Sequence, residues 1–384
     1  MKILSFSYCF PNSDNPNWGI FVFHRISALA RLETLKVYSP VPWFPFLAGK
    51  QAGDIRENWN GLDVFRPKFF YTPKILKNQD ARFYAKGIKH YVADLCKDWR
   101  PDILDAHFVW PDGVGVSRIA RKLGIPYVIT LRGKLYECMK IASQKQQCAD
   151  ALKNAAAVIS VSGRLADEAI QLGVDKDRIF IIPNGVDKDT FQIRNKKACR
   201  RELGLPLNKK LLVTVAHLGH RKGHHEVIQA LARLPEDVFL ILVGGAAQGG
   251  TPDSIMAAAE KSGVGKRVML AGPQSYDRVA RYFSAADASV LASYREGCPN
   301  AVLESLACGT PVVATDVGAV QDILPVPDAG RIVPPQEVEP LKNALVEVIG
   351  QKWDPGAVQE KSAVRSWDQV AEKVQTVISQ ITGN

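Results

Sequence analysis

The chain has 384 residues, 46% of them apolar and 23% charged, an ordinary globular mix whose length exceeds the ~250–300 residues at which one core usually divides, so two domains are expected. Apolar runs stop well short of the ~20 residues a bilayer crossing requires, which excludes an encoded transmembrane helix. The formal net charge is +10, and it is uneven: residues 1–185 carry 26 Lys+Arg against 17 Asp+Glu, residues 186–384 carry 23 against 22.

The opening stretch, Met1 to Phe10, is apolar but lacks a small-residue cleavage site and runs directly into Pro11-Asn-Ser-Asp-Asn. It reads as a first strand rather than a signal peptide. Short β-branched runs then alternate with longer helical segments, the pattern of parallel βα units covered on both faces. Strands are predicted near Ile3–Phe6, Leu35–Tyr38, Asp63–Phe65, Ile103–Ala106, Tyr127–Thr130, Val158–Val161 and Ile179–Ile182, forming one sheet.

Between Arg56 and Arg100 the basic residues Arg66, Lys68, Lys74, Lys77, Arg82, Lys86 and Lys89 interleave with Phe65, Phe69, Phe70, Tyr71, Phe83, Tyr84 and Tyr91. Two readings stand side by side: peripheral contact with an anionic membrane surface, or a solvated basic face whose aromatics lie in the core. No nucleic-acid partner is expected, because no binding motif accompanies the charge. The seven cysteines (9, 96, 138, 148, 199, 298 and 308) contain no C-x-x-C pair and no metal-like spacing, which fits neither a disulfide framework nor a zinc site. A reducing cytoplasmic setting is expected, at the inner face of the cell membrane if the basic stretch is a docking surface.

After Ile182 comes Pro183-Asn-Gly-Val-Asp187, then a basic helix near Lys196–Leu203 and the breaker Gly204-Leu-Pro206. A second series of strands follows, near Leu211–Val215, Val238–Val243, Val268–Leu270, Ala288–Leu291, Val312–Ala314 and Arg331–Val333. Two similar lobes are expected, residues 1–185 and 186–362. The tail from Ala363 to Ile381 has one wide apolar face at helical period, and the predicted helix, 363–384, returns to the first lobe.

The run from Ser293 to Gly309 is the most telling. Glu296 lies in the loop after the Ala288–Leu291 strand, and Glu304 about one turn into the helix that follows. Pro299 suits a helix start, and Gly309 followed by Pro311 ends the helix after roughly two turns. The amides of residues 298–301, from Cys298 through Asn300 to Ala301, then converge at a helix N-terminus, which attracts phosphate or sugar oxygens. Glu304 suits the paired hydroxyls of a ribose. Asp175-Lys-Asp177 and Asp187-Lys-Asp189 match a D-x-D metal pattern, but each lies at a turn beside a strand end, where aspartate caps.

These blocks, with Ile182-Pro-Asn-Gly-Val-Asp187, Val215-Ala-His-Leu-Gly-His-Arg-Lys-Gly223, Leu242-Val-Gly-Gly245 and Gly309-Thr-Pro-Val-Val-Ala-Thr-Asp-Val-Gly318, resemble the retaining glycosyltransferases of family 4. The resemblance is strongest over residues 180–325. In the first half Asn17-Trp-Gly19, Asp105-Ala-His107 and Thr130-Leu-Arg-Gly133 also match, with the look of bacterial wall or surface polysaccharide transferases of the teichuronic-acid type.

The resemblance implies an α/β protein of the GT-B fold, two Rossmann-like parallel-sheet lobes with the C-terminal helix returning to the first. It implies a nucleotide-sugar donor on the second lobe, a glycan or polyprenyl-linked glycan acceptor on the first, and reaction in the cleft between them. Glu304 would hold the ribose, and Glu296 with the amides around Gly297, Cys298 and Pro299 the donor sugar; Asn300 opens the same helix. Lys222 would neutralise the departing diphosphate, Gly19 would let a first-lobe loop approach the phosphates, and His107 would reach the transferred sugar.

His217 stands where the family usually has arginine, with Arg221 beside Lys222 to supply the cation; Arg132 stands where many relatives have histidine. No nucleophile other than Glu296 is offered near the sugar, so displacement from the leaving-group face is favoured, and neither metal nor cofactor is expected. The alternatives are a GT-B sugar-nucleotide epimerase and a non-catalytic sugar-nucleotide- or membrane-binding subunit. A nicotinamide dehydrogenase is excluded, since no G-x-G-x-x-G follows a strand.

Overall fold

A computed structural model describes residues 1–44, 55–247 and 249–383. It divides into two compact units, Met1–Asn184 with Trp367–Asn384, and Gly185–Ser366.

Among the described residues the first unit holds ten strands: β1 (Lys2–Phe6), β2 (Thr34–Tyr38), β3 (Val41–Trp43), β4 (Ile55–Trp59), β5 (Leu62–Arg66), β6 (Lys68–Phe70), β7 (Ile103–His107), β8 (Tyr127–Leu131), β9 (Ala157–Ser160) and β10 (Ile179–Ile181). Eight form one sheet in the order β10-β9-β8-β7-β1-β2-β5-β4, while β3 and β6 pair apart from it. The seven strands expected from the sequence lie in this one sheet and pair in parallel; β3, β4 and β6 were missed, and β4 adds an antiparallel edge beside β5. The turn between them is Asn60-Gly61, both at positive φ (47° and 89°), the left-handed pair that a two-residue hairpin requires.

Phe65, Phe69 and Tyr84 are buried in this unit, so these aromatics of the basic stretch are core. The helix Trp367–Thr382 lays Val370, Ala371, Val374 and Ile378 against Ala28 and Leu29 of the helix Ile20–Ala30 and against Ile3 and Ile103 of the sheet. Trp367 stacks on His24 with ring centroids 5.8 Å apart, and Arg31 pairs with Asp368.

The second unit contains β11 (Lys210–Val215), β12 (Val238–Val243), β13 (Val268–Gly272), β14 (Ala288–Leu291), β15 (Val312–Thr315) and β16 (Gly330–Val333). All pair in parallel in the order β13-β12-β11-β14-β15-β16. Consecutive side chains of β12 enter opposite cores, Leu240 and Leu242 with Val227 and Leu345, Ile241 and Val243 with Phe191 and Phe283. A strand covered on both faces reads as an unbroken apolar run for this reason.

Each sheet reverses direction of growth once. In the second unit the chain moves outward from β11 through β12 to β13, then returns to the other side of β11 with β14. In the first, β1 is flanked by β2 and β7 in the same sense. The crevice beyond the carboxyl ends of two such strands is where open α/β sheets bind ligands.

Candidate active site

In the second unit the reversal lies between β11 and β14, and both following loops carry residues singled out from the sequence. After β11 the chain reaches a short turn, His220–Lys222, and Gly223 at φ 68°. A β-carbon on Gly223 would stand 2.0 Å from the Ala292 carbonyl oxygen in the loop after β14, so only glycine lets the two loops meet. The Tyr294 amide donates to the Arg221 carbonyl at 2.9 Å, and Lys222 Nζ donates to Glu296 Oε1 at 2.6 Å.

A third loop, after β15, closes on the same segment. The Ala319 amide donates to the Gly297 carbonyl at 2.9 Å. Gly318, at φ 55°, leaves no room for a β-carbon, which would lie 2.4 Å from the Gly297 oxygen. Backbone contacts from two neighbouring loops thus fix the segment that carries Glu296 and Gly297.

The helix Asn300–Ala307 follows, with Pro299 at its N-cap (φ −77°, ψ 102°) and Gly309 at φ 71° beyond its end. Pro299 therefore stands one position outside the first turn, where the sequence reading had put a helix start, and Asn300 opens the helix. Cys298, Pro299 and Asn300 lead into the first turn, where the Val302 amide donates to the Pro299 carbonyl at 3.1 Å. Glu304 is half-buried, no hydrogen-bond partner reaches its carboxyl among the described residues, and burial pushes that carboxyl up to about 8.

His217 and Arg221 are exposed. The His217 carbonyl accepts from His224 Nε2 at 3.0 Å, and the Arg221 guanidinium makes no ion pair among the described residues. Tyr294 and Glu226, not foreseen, brace the site from behind through a 2.6 Å bond from the Tyr294 hydroxyl to Glu226 Oε1.

In the first unit Gly19 and His107 follow β1 and end β7, on either side of that sheet's reversal. Gly19 caps the helix Ile20–Ala30 at φ 69°, and a β-carbon there would meet the Cys9 carbonyl at 2.2 Å. The fold itself therefore demands this glycine. His107 is fully buried, with Nε2 3.1 Å from Asp105 Oδ2. Burial lowers the imidazole to about 4, the nearby Asp105 only partly opposing it, so the ring is neutral at pH 7. Burial alone would raise the Asp105 carboxyl, but Arg25, His107 and Arg132 hold it well below the usual range.

Against an ionised carboxylate the histidine proton sits on Nε2, which leaves Nδ1 an acceptor; it has no partner among the described residues. Arg25 lies 3.3 Å from Asp105 Oδ1 and also donates to Thr130 Oγ1. The sequence reading missed Arg25, although an arginine inside Ile-Phe-Val-Phe-His-Arg-Ile-Ser-Ala-Leu-Ala is a signal, since a buried cation needs a buried partner. Arg132 donates to Asn184 Oδ1 at 2.8 Å, its guanidinium 5.2 Å from the Phe21 ring.

A cavity of about 490 Å³ opens beyond β1 and β2, lined by Tyr8, Asn12, Asp14, Trp18, Ser39 and Arg66 among others. A second, of about 340 Å³, touches Lys210, Asp287 and Pro311. These precede or begin β11, β14 and β15, so it lies at the wrong end of the sheet for the loops just described. Asp175 and Asp187 accept the amides of Asp177 and Asp189, both at 3.1 Å, which occupies their carboxylates in turns.

The family model "Glycosyl transferases group 1" matches residues 195–363 and "Glycosyltransferase Family 4" matches residues 46–190. A Bacillus subtilis (strain 168) protein named "Putative teichuronic acid biosynthesis glycosyltransferase TuaC" is 29% identical over 375 residues, covering 92% of this chain and 91% of its own. Among solved structures, sucrose-phosphate synthase from Thermosynechococcus elongatus superposes with a TM-score of 0.82 at 20% identity, over 100% of this chain and 99% of that one. Anabaena Alr3699/HepE in complex with UDP does so with a TM-score of 0.73 at 21% identity, over the same shares. Matched in each unit by a glycosyltransferase family, the chain belongs to the family 4 glycosyltransferases and carries their GT-B fold.

Proposed function

We propose that this glycosyltransferase moves a hexosyl group, with retention at the anomeric carbon, from a nucleotide-diphospho-sugar to a glycan or polyprenyl-linked glycan of a bacterial surface polysaccharide. The observation that carries the reading is the 2.6 Å contact between Lys222 and Glu296 at the reversal of a parallel sheet, beside a helix N-terminus. A cation, a carboxylate and a helix N-terminus at one crevice match a diphosphate bonded to a polyol. The UDP bound to the Anabaena neighbour and the wall-polymer role in the Bacillus relative's name support the donor and the product class.

Lys222 leaves Glu296 for the diphosphate and neutralises the charge that grows as the glycosidic bond breaks. Glu296, released, accepts from hydroxyls of the donor sugar together with the amides around Gly297 and Cys298. Arg221 adds a second cation in place of the arginine that His217 replaces, Pro299 and Asn300 set the helix entry, and Glu304 takes the ribose diol. Gly19 gives a phosphate access to the adjacent helix N-terminus, and opening of the segments over His107 brings its Nδ1, sealed from water in this structure, to a sugar hydroxyl.

Lys222, Arg221 and the helix dipole supply positive charge, so no metal or cofactor is needed. The leaving phosphate accepts the acceptor's proton as its oxygen attacks from the same face. The acceptor glycan occupies the cavity lined by Trp18, Asn12 and Asp14, whose ring and polar groups suit a sugar's two faces.

The test begins with thermal shift against a panel of nucleotide sugars, where a true donor raises the melting temperature in proportion to RT ln(1 + [L]/Kd). The stabilising donor is then incubated with candidate lipid-linked acceptors, and the anomeric configuration of the product is read by NMR. Free nucleoside diphosphate with an axial-to-axial or equatorial-to-equatorial product supports the reading. An isomerised donor with no transfer marks an epimerase, and stabilisation without turnover a binding subunit.

A further inference from the structure

Ile75 and Leu76 stand side by side in the loop between β6 and the helix Asp80–Asp98, 64% and 53% exposed. Their outward position is built into the backbone. Lys74 at φ 65° and Leu76 at φ 52° both occupy the left-handed region, which side-chain-bearing residues adopt at a cost and which surrounding structure must enforce. The enforcing contacts are visible: Thr72 Oγ1 donates to the Ile75 carbonyl at 2.7 Å. Gln144 Nε2 donates to the Lys77 carbonyl at 2.9 Å, and Gln147 Nε2 to that of Asn78 at 3.1 Å.

Both glutamines belong to the helix Ala142–Lys153, whose N-cap residue, Ile141, is itself 43% exposed. Three aliphatic side chains therefore surround one junction. Lysines surround it too: Lys74, Lys140 and Lys145 are exposed. Their acidic neighbours are few, Glu137 pairing with Lys140 and the buried Asp80 with Lys77. Along the next helix Arg82, Lys86 and Lys89 repeat on an exposed face at intervals of four and three, with no ion pair among the described residues.

We infer that this face of the first lobe docks on an anionic lipid bilayer, with Ile75 and Leu76 entering the boundary between headgroups and acyl chains and the lysines and arginine pairing with lipid phosphates. Charge complementarity selects the occupant. A cationic surface around outward aliphatic tips, with Lys74, Lys145, Arg82, Lys86 and Lys89 outside any ion pair among the described residues, matches an anionic interface that yields to insertion. No described helix is long and apolar enough to cross a membrane, so the association is peripheral. It holds whichever sugar is transferred.

The experiment is co-sedimentation of the full chain with vesicles of phosphatidylcholine alone and of phosphatidylcholine mixed with phosphatidylglycerol, which needs no donor and reads independently of transferase activity. The mixed vesicles carry the protein down and the neutral ones do not. The double variant Ile75→Ser/Leu76→Ser lowers the partition coefficient at least about tenfold, and each of Arg82→Ala, Lys86→Ala and Lys89→Ala lowers it by up to about fivefold. All variants keep the wild-type melting profile, since the replaced side chains are exposed. Absence of sedimentation, equal sedimentation with both vesicle types, or wild-type partition of the folded Ile75→Ser/Leu76→Ser variant overturns the inference. Binding that responds to the basic residues alone marks general polyanion attraction and also overturns it.

Discussion

Asp105 accepts a hydrogen bond from His107 Nε2 across 3.1 Å, inside a first-lobe core from which both side chains are shut off from water. The carboxylate fixes the tautomer, and Arg25 holds the carboxylate ionised. His107→Ala is expected to cut transfer by about ten- to a hundredfold through loss of one hydrogen bond to sugar. Asp105→Asn strands the Arg25 charge and should destabilise the first lobe by about 3–5 kcal/mol, measured by denaturant titration.

The same histidine sets an acid limit. Its pKa falls from 6.5 to about 4 on folding, so the unfolded chain takes up the proton first and stability declines as pH falls from about 6.5 toward 4. Melting temperature followed through that window should drop less in His107→Gln than in the wild type.

Glu304 acts with the opposite sign. Its folded pKa, raised to about 8 by burial, means that its contribution is fully present below the ordinary value of 4.5 and is lost as pH rises through 8. Glu304→Gln should flatten the fall in melting temperature between about pH 4.5 and 8. Asp112, likewise raised to about 8 by burial in the first lobe, leaves a residual slope.

Lys222 and Glu296 are partly exposed, so neutralising their pair costs the fold no more than about 1 kcal/mol. Their loss in turnover should be far larger, about 10²–10³-fold for Lys222→Met. Because the two side chains touch and hold adjacent groups of one donor, Lys222→Met/Glu296→Gln should be less impaired than the product of the single losses. Steady-state kinetics of the four proteins gives the coupling, and addition of EDTA should leave all four rates unchanged.

Gly223→Ala tests the stitching of the loops. The added carbon would meet the Ala292 carbonyl in a left-handed backbone, so a loss of more than about 1 kcal/mol is expected, together with weaker donor binding as Lys222 and Glu296 move apart. Calorimetry of the variant with and without UDP separates the two effects.

Much of the fold was legible because period and length carry it. Val238–Val243 is an apolar run too short for a helix and buried on both faces. Gly309 and Pro311 marked the end of the helix Asn300–Ala307 because a left-handed residue and a missing amide stop a helix wherever they occur. The hairpin at Asn60-Gly61 was equally readable and was overlooked, since its strands are short and polar on one side. Strand order was not readable, because nothing local in β11 or β14 says that they adjoin. The same gap hid the Lys222–Glu296 contact, which joins residues 74 positions apart, and the burial of Arg25, whose partner Asp105 lies 80 positions away.

The amide of Val186 donates to the carbonyl of Arg365 at 2.9 Å, and Val186 bridges Ser366 in parallel. The polypeptide thus enters and leaves the Gly185–Ser366 unit through the same doorway, as an insertion within the other unit's chain. Excised at that doorway, the inserted half should fold alone, with its two cut ends already held side by side.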